Sequence, residues 1–193
     1  SAIEYAPAAI LAGVPIRING AHGRDHGDPH GTNRKHNFLR RAMLPFYDCC
    51  YANSANMLDW NRDVIGVPDH KSRLLPNGID SDKFQPRAAG QGRALDVFPL
   101  DAIVIGAVGR IQDVKDHAGL VAAFILLRER LPQLRAQLRL AIVGDGPLLA
   151  KLPAQVAAAG IADAVWLPGS RHDVADILRS IDIFAMSSIA EGT

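Results

Sequence analysis

Residues Ala102–Val108 read AIVIGAV, and the fold class can be inferred from this stretch and the elements that follow it. It is short, continuously apolar and rich in β-branched side chains, as expected of a strand that is buried on both faces. Apolar residues then recur at three- and four-residue spacing over Asp116–Leu131, which predicts a helix that ends at Pro132. Further strands and helices alternate after it: Leu138–Val143, a helix up to Ala159, Ala164–Leu167, Asp173–Ser180 and Ile181–Met186. The alternation predicts a parallel sheet with right-handed crossovers in a doubly wound α/β domain.

The first half of the chain follows the same pattern less regularly. Its expected helices begin at caps provided by Thr32 or Asn33 and by Ser54. The stretch from Arg87 to Arg93 contains only arginine, alanine, glycine and glutamine, a composition suited to a linker. The expected strands are Val14–Asn19, Asp48–Ala52 and Ser72–Pro76. We therefore expect two domains, residues 1–88 and residues 89–193.

Composition restricts the class of protein. The chain is 48% hydrophobic and 21% charged, which is typical of a soluble globular protein. Its net charge of +1 argues against a nucleic-acid-binding protein. No apolar run approaches the ~20 residues that cross a bilayer, and no signal-peptide pattern is visible. The adjacent Cys49 and Cys50 cannot form a disulfide framework, so we expect buried thiols and a cytoplasmic location.

Two basic residues follow the expected strand at Ala102–Val108. Arg110 comes directly after Gly109, and Lys115 lies just before the expected helix. Together with the helix dipole and its free N–H groups, a forked guanidinium and a compact ammonium could bind a diphosphate. The alternative is two solvated surface cations. The glycine fingerprint of dinucleotide-binding proteins and the P-loop pattern are both missing, which argues against a dehydrogenase and a P-loop enzyme.

Five segments resemble one known family in the same order. Residues 104–111, VIGAVGRI, followed by Lys115, resemble the donor-phosphate motif of family 4 retaining glycosyltransferases, which have the two-domain GT-B fold. Residues 75–80, LPNGID, with Phe84 and Pro86 resemble the family segment that enters the donor domain. The other matches are IVGDGP at 142–147, PGSRHDV at 168–174 and DIFAMSS at 182–188 with Glu191 and Gly192. Each match is weak alone, whereas five in order are a strong combined signal.

The resemblance implies roles for these residues. Arg110 and Lys115 are expected to hold the donor diphosphate and to stabilise the charge that develops on the leaving nucleotide. Glu191 matches the first glutamate of the family's pair and is expected to face the donor sugar. The second glutamate, which binds the ribose, falls beyond Thr193, so we expect both domains to be incomplete and the chain alone to be inactive. Further substrate contacts are expected from Gly109, Gly144, Gly146, Arg171, His172, Asp173 and Gly192, and neither a metal nor another cofactor is expected.

The acceptor half matches less sharply. His22 resembles the family histidine that follows a strand and contacts the transferred sugar. His22, His26 and His30 are also evenly spaced with Asp25 and Asp28 between them, a pattern that could bind a metal. Intervening glycines and a proline disfavour a helix there. An acceptor-side loop, a metal site and a plain polar loop therefore remain alternatives, of which the family favours the first.

A basic helix suggests a further property. Arg34, Lys35, Arg40 and Arg41 accompany Phe38 and Leu39, so this helix could rest on the inner face of an anionic membrane or simply present a solvated face. The combination of residues 22–25, residues 33–35 and Asp59-Trp60 is most similar to sugar transferases of exosortase/PEP-CTERM exopolysaccharide systems. The favoured function is transfer of a hexose from a nucleoside diphosphate sugar to a glycan or lipid-linked acceptor. The alternatives are a nucleotide-sugar epimerase of the same fold and a non-catalytic nucleotide-binding module.

Overall fold

The computed structural model describes residues 2–23, residue 28 and residues 31–189. These residues fold into two compact units that divide between Gly78 and Ile79. The sequence places the boundary ten residues later, in the polar stretch near 88–92. Residues 79–88 cluster instead with the second unit, where Arg87 donates to Asp182 and Arg179 donates to the carbonyl of Lys83. Within the described residues, no helix is long and apolar enough to span a membrane.

The first unit contains a three-stranded parallel sheet in the order β1-β2-β3. Each pair of neighbouring strands is joined by a helical connection, as parallel pairing requires. The strands are β1 (Ile18–Ala21), β2 (Cys49–Ala52) and β3 (Ser72–Leu74). The helices are α1 (Ala2–Leu11), α2 (Arg34–Met43) and α3 (Ala55–Trp60), the last continued by one π turn at Asn61–Ile65.

Local chemistry fixes the ends of these elements. The side chains of Asn33 and Ser54 accept hydrogen bonds from the third residue of the helices they cap, as the sequence predicts. The prediction of a strand from Val14 is wrong, since β1 begins at Ile18. Pro15 lacks an N–H for the ladder, and the Arg17 guanidinium folds back onto the carbonyl of Val14. Helix α1 has no counterpart among the predicted elements.

Strand β2 carries the two cysteines through the core of the first unit. Cys50 is 1% exposed and packs in a cluster with Ala52, Met57 and Trp60, whereas Cys49 is half-buried. Burial raises the pKa of the Cys50 thiol. Both thiols are free, as the adjacent spacing implies.

The second unit contains a four-stranded parallel sheet in the order β6-β5-β4-β7. Its strands are β4 (Ile103–Val108), β5 (Leu138–Val143), β6 (Val165–Gly169) and β7 (Ile183–Phe184). Its helices are α4 (His117–Arg130), α5 (Leu152–Ala158) and α6 (Val174–Ser180). The predicted α/β class with parallel sheets is confirmed in both units.

Both faces of this second sheet are covered. On β5, Leu138, Leu140 and Ile142 join the larger core that α4 and α5 cover, while Ala141 points into the smaller core on the opposite face. This alternation explains why the strand is apolar at every position except Arg139. The chain runs from β4 outward to β6 and then returns to the other side of β4 as β7. The direction of strand order therefore reverses between β4 and β7.

The irregular segment 79–101 is fastened to the amino edge of this sheet by charge. Asp182 accepts hydrogen bonds from Arg87 (3.0 Å), Arg93 (2.5 Å) and the Val104 N–H (2.9 Å). Burial raises the pKa of Asp182, but these three hydrogen bonds outweigh it and hold the pKa below its usual value. This ionised carboxylate is one anchor of the segment, beside the hydrogen bond from the Leu95 N–H to the Ser180 hydroxyl and the burial of Phe98.

Candidate functional site

The carboxyl edge of the second sheet collects most of the predicted site residues. Val108, Val143 and Gly169 end β4, β5 and β6 in register, so the loops that follow them emerge at one edge. Open α/β sheets bind ligands at this edge, where the strand order reverses. The structure thus brings together, within the second unit, Gly109, Arg110, Lys115, Gly144, Gly146, Arg171, His172 and Asp173.

The glycines at positions 144 and 146 allow two loops to touch backbone to backbone. A Cβ on Gly144 would lie 1.9 Å from the carbonyl oxygen of Gly109, and one on Gly146 would lie 2.2 Å from that of Ile111. Gly144 also has a φ of +147°, which side chains disfavour. The contact is completed by hydrogen bonds from Gly109 N–H to Val143 and from Ile111 N–H to Asp145. These glycines therefore fix the backbone on either side of Arg110.

Arg110 and Lys115 flank the short turn that enters α4. Arg110 is exposed, whereas Lys115 is half-buried. Asp116 caps α4 by accepting from the Gly119 N–H at 3.0 Å, and its backbone is left-handed with a φ of 45°. A non-glycine residue in that conformation is strained, and it turns the chain sharply at the helix start. The amino end of α4 therefore opens beside Lys115.

His117 is the first residue of α4 and is buried. Burial lowers the pKa of its imidazole, and the neighbouring Lys115 lowers it further against the opposing effect of Asp116. The lowered pKa favours the neutral imidazole, which adds no positive charge beside Lys115. Its Nδ1 atom is buried without a hydrogen-bond partner among the described residues.

The loop after β7 is attached to the lysine loop. The Ser187 hydroxyl donates to the carbonyl of Lys115 at 2.8 Å, and the Ile189 N–H donates to the carbonyl of Val114 at 2.8 Å. Both bonds cross the point where the strand order reverses. Glu191 and Gly192, predicted from the family motif, lie outside the described residues.

Arg171 and Asp173 form a forked ion pair in the loop after β6. The guanidinium donates from Nε at 2.8 Å and from Nη2 at 2.7 Å to the two carboxylate oxygens, and it lies 5.9 Å from the Trp166 ring. The hydrogen bonds from Arg171 hold the pKa of Asp173 below its usual value. The pair fixes the loop and leaves His172, between them, exposed.

His22 lies at the carboxyl edge of the first sheet, directly after β1. Its Nε2 atom is 2.8 Å from the Tyr51 hydroxyl, and the two rings meet edge to face. Asp28 accepts hydrogen bonds from the backbone N–H groups of Thr32 and Asn33, so its carboxylate holds the backbone just before α2. His26 and His30 lie outside the described residues. Elsewhere in the described chain, no group of three potential metal ligands is found.

Sequence reasoning missed two contributors, Tyr51 and Ser187. Tyr51 carries no motif, and only its register beside Gly20 connects it with His22. Ser187 stands where the family pattern has proline, and this departure could have drawn attention to its hydroxyl. The roles of the predicted residues toward a ligand stay predictions.

Solved structures with the same fold are glycosyltransferases of the GT-B class. The structure superimposes on HepE of Anabaena, solved in complex with UDP, with a TM-score of 0.71 at 19% identity, over 98% of this chain and 51% of HepE. It also superimposes on WaaG, a glycosyltransferase involved in lipopolysaccharide biosynthesis, with a TM-score of 0.68 at 14% identity, over 98% and 58% of the two chains. The predicted GT-B fold is confirmed.

Sequence comparison names the family. The model of "Glycosyl transferases group 1" matches residues 94–193, more than half of the chain, and that of "Glycosyltransferase Family 4" matches residues 2–83. The chain belongs to the group 1 glycosyl transferases, and its predicted kinship with family 4 is confirmed.

Two relatives show how much of such proteins the chain covers. It is 33% identical to glycosyltransferase EpsF, so named in Bacillus subtilis (strain 168), over 96% of this chain and 48% of EpsF. It is 32% identical to D-inositol 3-phosphate glycosyltransferase of Stackebrandtia nassauensis, over 75% of this chain and 34% of that protein. The chain spans about half the length of EpsF.

Proposed function

We propose that this chain carries the donor diphosphate site of a transferase that moves a hexose from a nucleoside diphosphate sugar to an acceptor, with retention at the anomeric carbon. One observation carries the proposal. The exposed Arg110 follows the end of β4 and the half-buried Lys115 precedes α4, at the sheet edge where the strand order reverses. Membership of the group 1 family supports the transferase class.

The chemistry of this edge suits a diphosphate. Arg110 offers a planar fork of donors and Lys115 a compact charge, which complement adjacent phosphate groups. The amino end of α4 adds N–H groups and the positive end of the helix dipole. As the bond from sugar to phosphate breaks, negative charge grows on the leaving diphosphate, and prepositioned cations stabilise it. We assign Glu191 and His22 to the sugar, as the family resemblance implies.

The ligand and acceptor can be narrowed as part of the same proposal. We choose uridine as the base, because HepE was solved with UDP and with UDP-glucose, and a pneumococcal O-GlcNAc transferase of similar fold with UDP. We choose a lipid-linked glycan as the acceptor, because a Campylobacter jejuni relative, 26% identical, is named for transfer to a diphospho-undecaprenol-linked sugar. The choice of uridine is the more directly testable.

A lipid-linked acceptor would place the protein near a membrane, and α2 supports peripheral contact. Arg40 contacts Asn37 and the Trp60 ring, and Arg41 donates to the carbonyl of Val64, so these two cations serve the fold. Arg34, Lys35 and the 69%-exposed Phe38 face outward. Co-sedimentation with phosphatidylglycerol vesicles should fall in a Phe38→Ser/Lys35→Gln variant. Equal sedimentation of variant and wild type would exclude this surface.

Nucleotide binding by the chain tests the proposal. UDP, GDP, ADP and NAD are titrated into wild type and into Arg110→Ala/Lys115→Ala while the melting temperature is followed. A ligand at about 100 times its dissociation constant stabilises a protein by about 2.7 kcal/mol. We expect UDP to raise the melting temperature of wild type only.

A charge-matched control separates the site from overall charge. Arg130→Ala/Arg135→Ala removes the same two charges from exposed positions next to the amino edge of the same sheet. The control should retain the UDP effect. If UDP stabilises the site variant as much as wild type, or if only NAD stabilises the chain, the proposed site is refuted.

A further inference from the structure

We infer that Tyr51 is a positioning residue for His22, whose imidazole it holds as the tautomer with the proton on Nδ1. This inference rests on the proposed function in one respect, the assignment of His22 to the transferred sugar. The observation behind it is the 2.8 Å contact between the Tyr51 hydroxyl and His22 Nε2. The consequence is that the side chain presents an N–H donor, and not a bare nitrogen, to a sugar hydroxyl or ring oxygen.

Sheet geometry brings the two side chains together. Gly20 and Tyr51 are register partners on the neighbouring parallel strands β1 and β2. Side chains two residues apart on a strand share a face, so positions 20 and 22 lie on the same side. Because Gly20 has no side chain, the Tyr51 ring can lie across β1 and reach the next position on that face, which is His22.

The space that Gly20 leaves open is filled by the tyrosine. A Cβ at position 20 would lie 2.6 Å from both the Cζ and the Oη atoms of Tyr51. The His22 and Tyr51 rings are 5.3 Å apart at an interplanar angle of 84°, an edge-to-face arrangement that restricts the imidazole further. The buried Asn53 donates to the carbonyl of His22 at 3.5 Å and so restrains the backbone as well. Ring, hydroxyl and backbone contacts together fix one orientation.

Relative hydrogen-bonding strength decides which atom donates. A phenol, with a pKa of about 10, is a stronger donor than a neutral imidazole N–H, and an imidazole nitrogen is a stronger acceptor than a phenol oxygen. The Tyr51 hydroxyl therefore donates to Nε2, which leaves the ring proton on Nδ1. In a histidine without such a partner both tautomers are populated.

The tautomer can be read directly by nitrogen NMR of the histidine ring. In the 15N-labelled chain, resonances of His22 are assigned by their loss in His22→Gln. We expect an unprotonated Nε2 and a protonated Nδ1 in wild type and a mixture of tautomers in Tyr51→Phe, which removes only the hydroxyl. Tyr5→Phe makes the same chemical change at a 75%-exposed position and should retain the wild-type pattern. Identical patterns in wild type and Tyr51→Phe would overturn the inference.

A second variant keeps the test independent of the phenol itself. Gly20→Ala should displace the end of the Tyr51 ring, which is flexible, and thereby separate the hydroxyl from His22 while the chain stays folded. We expect the same mixture of tautomers as in Tyr51→Phe. Retention of the pure Nδ1–H tautomer in this variant would also overturn the inference.

A binding measurement distinguishes this inference from the proposed function. Tyr51→Phe should weaken UDP-glucose binding about 3- to 10-fold, the loss of one oriented hydrogen bond, and leave UDP binding unchanged. Equal UDP-glucose affinity in wild type and Tyr51→Phe would refute the positioning role. Failure of wild type to bind UDP would refute the proposed function, and the NMR result would still decide the tautomer.

Discussion

Replacement of Gly144 by alanine should damage the second unit at one defined contact. The new methyl group would lie 1.9 Å from the Gly109 carbonyl oxygen, whereas real Cβ contacts are essentially never shorter than 3.0 Å. The two loops must separate by roughly 1 Å, which strains the Gly109–Val143 and Ile111–Asp145 hydrogen bonds. Overpacking costs about 1–3 kcal/mol and the positive φ a further 1–3 kcal/mol. We expect a loss of about 2–6 kcal/mol in urea unfolding.

The matched control for this prediction is Gly160→Ala. Gly160 also has a positive φ, of +62°, but a Cβ there would have no neighbouring atom within 4 Å. Alanine at this position should therefore cost only the backbone term, about 1–2 kcal/mol. Gly144→Ala should also lose the UDP-dependent stabilisation, because the backbone beside Arg110 has moved. If both variants lose the same stability, the argument from backbone contact is refuted.

Three further predictions concern the second unit. Asp182→Asn should lower the free energy of unfolding by about 1.5–3 kcal/mol at neutral pH. Because the folded-state pKa of Asp182 is depressed, this contribution is present above the unfolded pKa of about 3.9 and is lost as pH falls through the folded value. The free energy of unfolding should therefore fall less steeply on acidification in the variant than in wild type. Leu140→Ala should cost about 2–5 kcal/mol in chemical denaturation, whereas Leu126→Ala, at a 53%-exposed position, should stay within about 0.5 kcal/mol; similar losses would contradict the assigned core. Ser187→Ala should weaken UDP binding, measured by calorimetry, several-fold, because the hydroxyl anchors the loop to the carbonyl of Lys115. Ser187→Thr, which keeps a hydroxyl, should restore the affinity in part. Unchanged affinity in Ser187→Ala would exclude that role.

The second unit could be predicted from sequence almost element by element. Its strands are predominantly apolar runs, interrupted in β5 only by Arg139, and its helices show clear periodicity and stops, so local patterns carry enough information. Strand β5 has the predicted bounds, Leu138–Val143. Segment 79–101 could not be placed in the same way, because it is held by contacts with residues about 90 positions later in the sequence, among them the hydrogen bonds from Arg87 and Arg93 to Asp182. Such polar contacts leave no local periodicity.

The candidate site shows the same division. The positions of Arg110, Lys115 and the glycines at one sheet edge follow from strand order alone. Tyr51 and His22 are 29 positions apart in the sequence, and their contact depends on the register between β1 and β2. That register is not visible in the sequence of either strand by itself. Asp116 illustrates a third case, since its left-handed backbone is a strain that no propensity predicts.

The two adjacent cysteines of β2 allow the opening of the first unit to be followed by thiol alkylation. The sequence contains only Cys49 and Cys50, so the second unit contributes no thiol to any alkylation reaction. The half-buried Cys49 should be labelled in the native protein, while the 1%-exposed Cys50, whose raised pKa keeps it protonated, should react only when the sheet opens. The rate at which a second label appears in mass spectrometry therefore measures the opening of the first unit alone, because the second unit has no thiol to label.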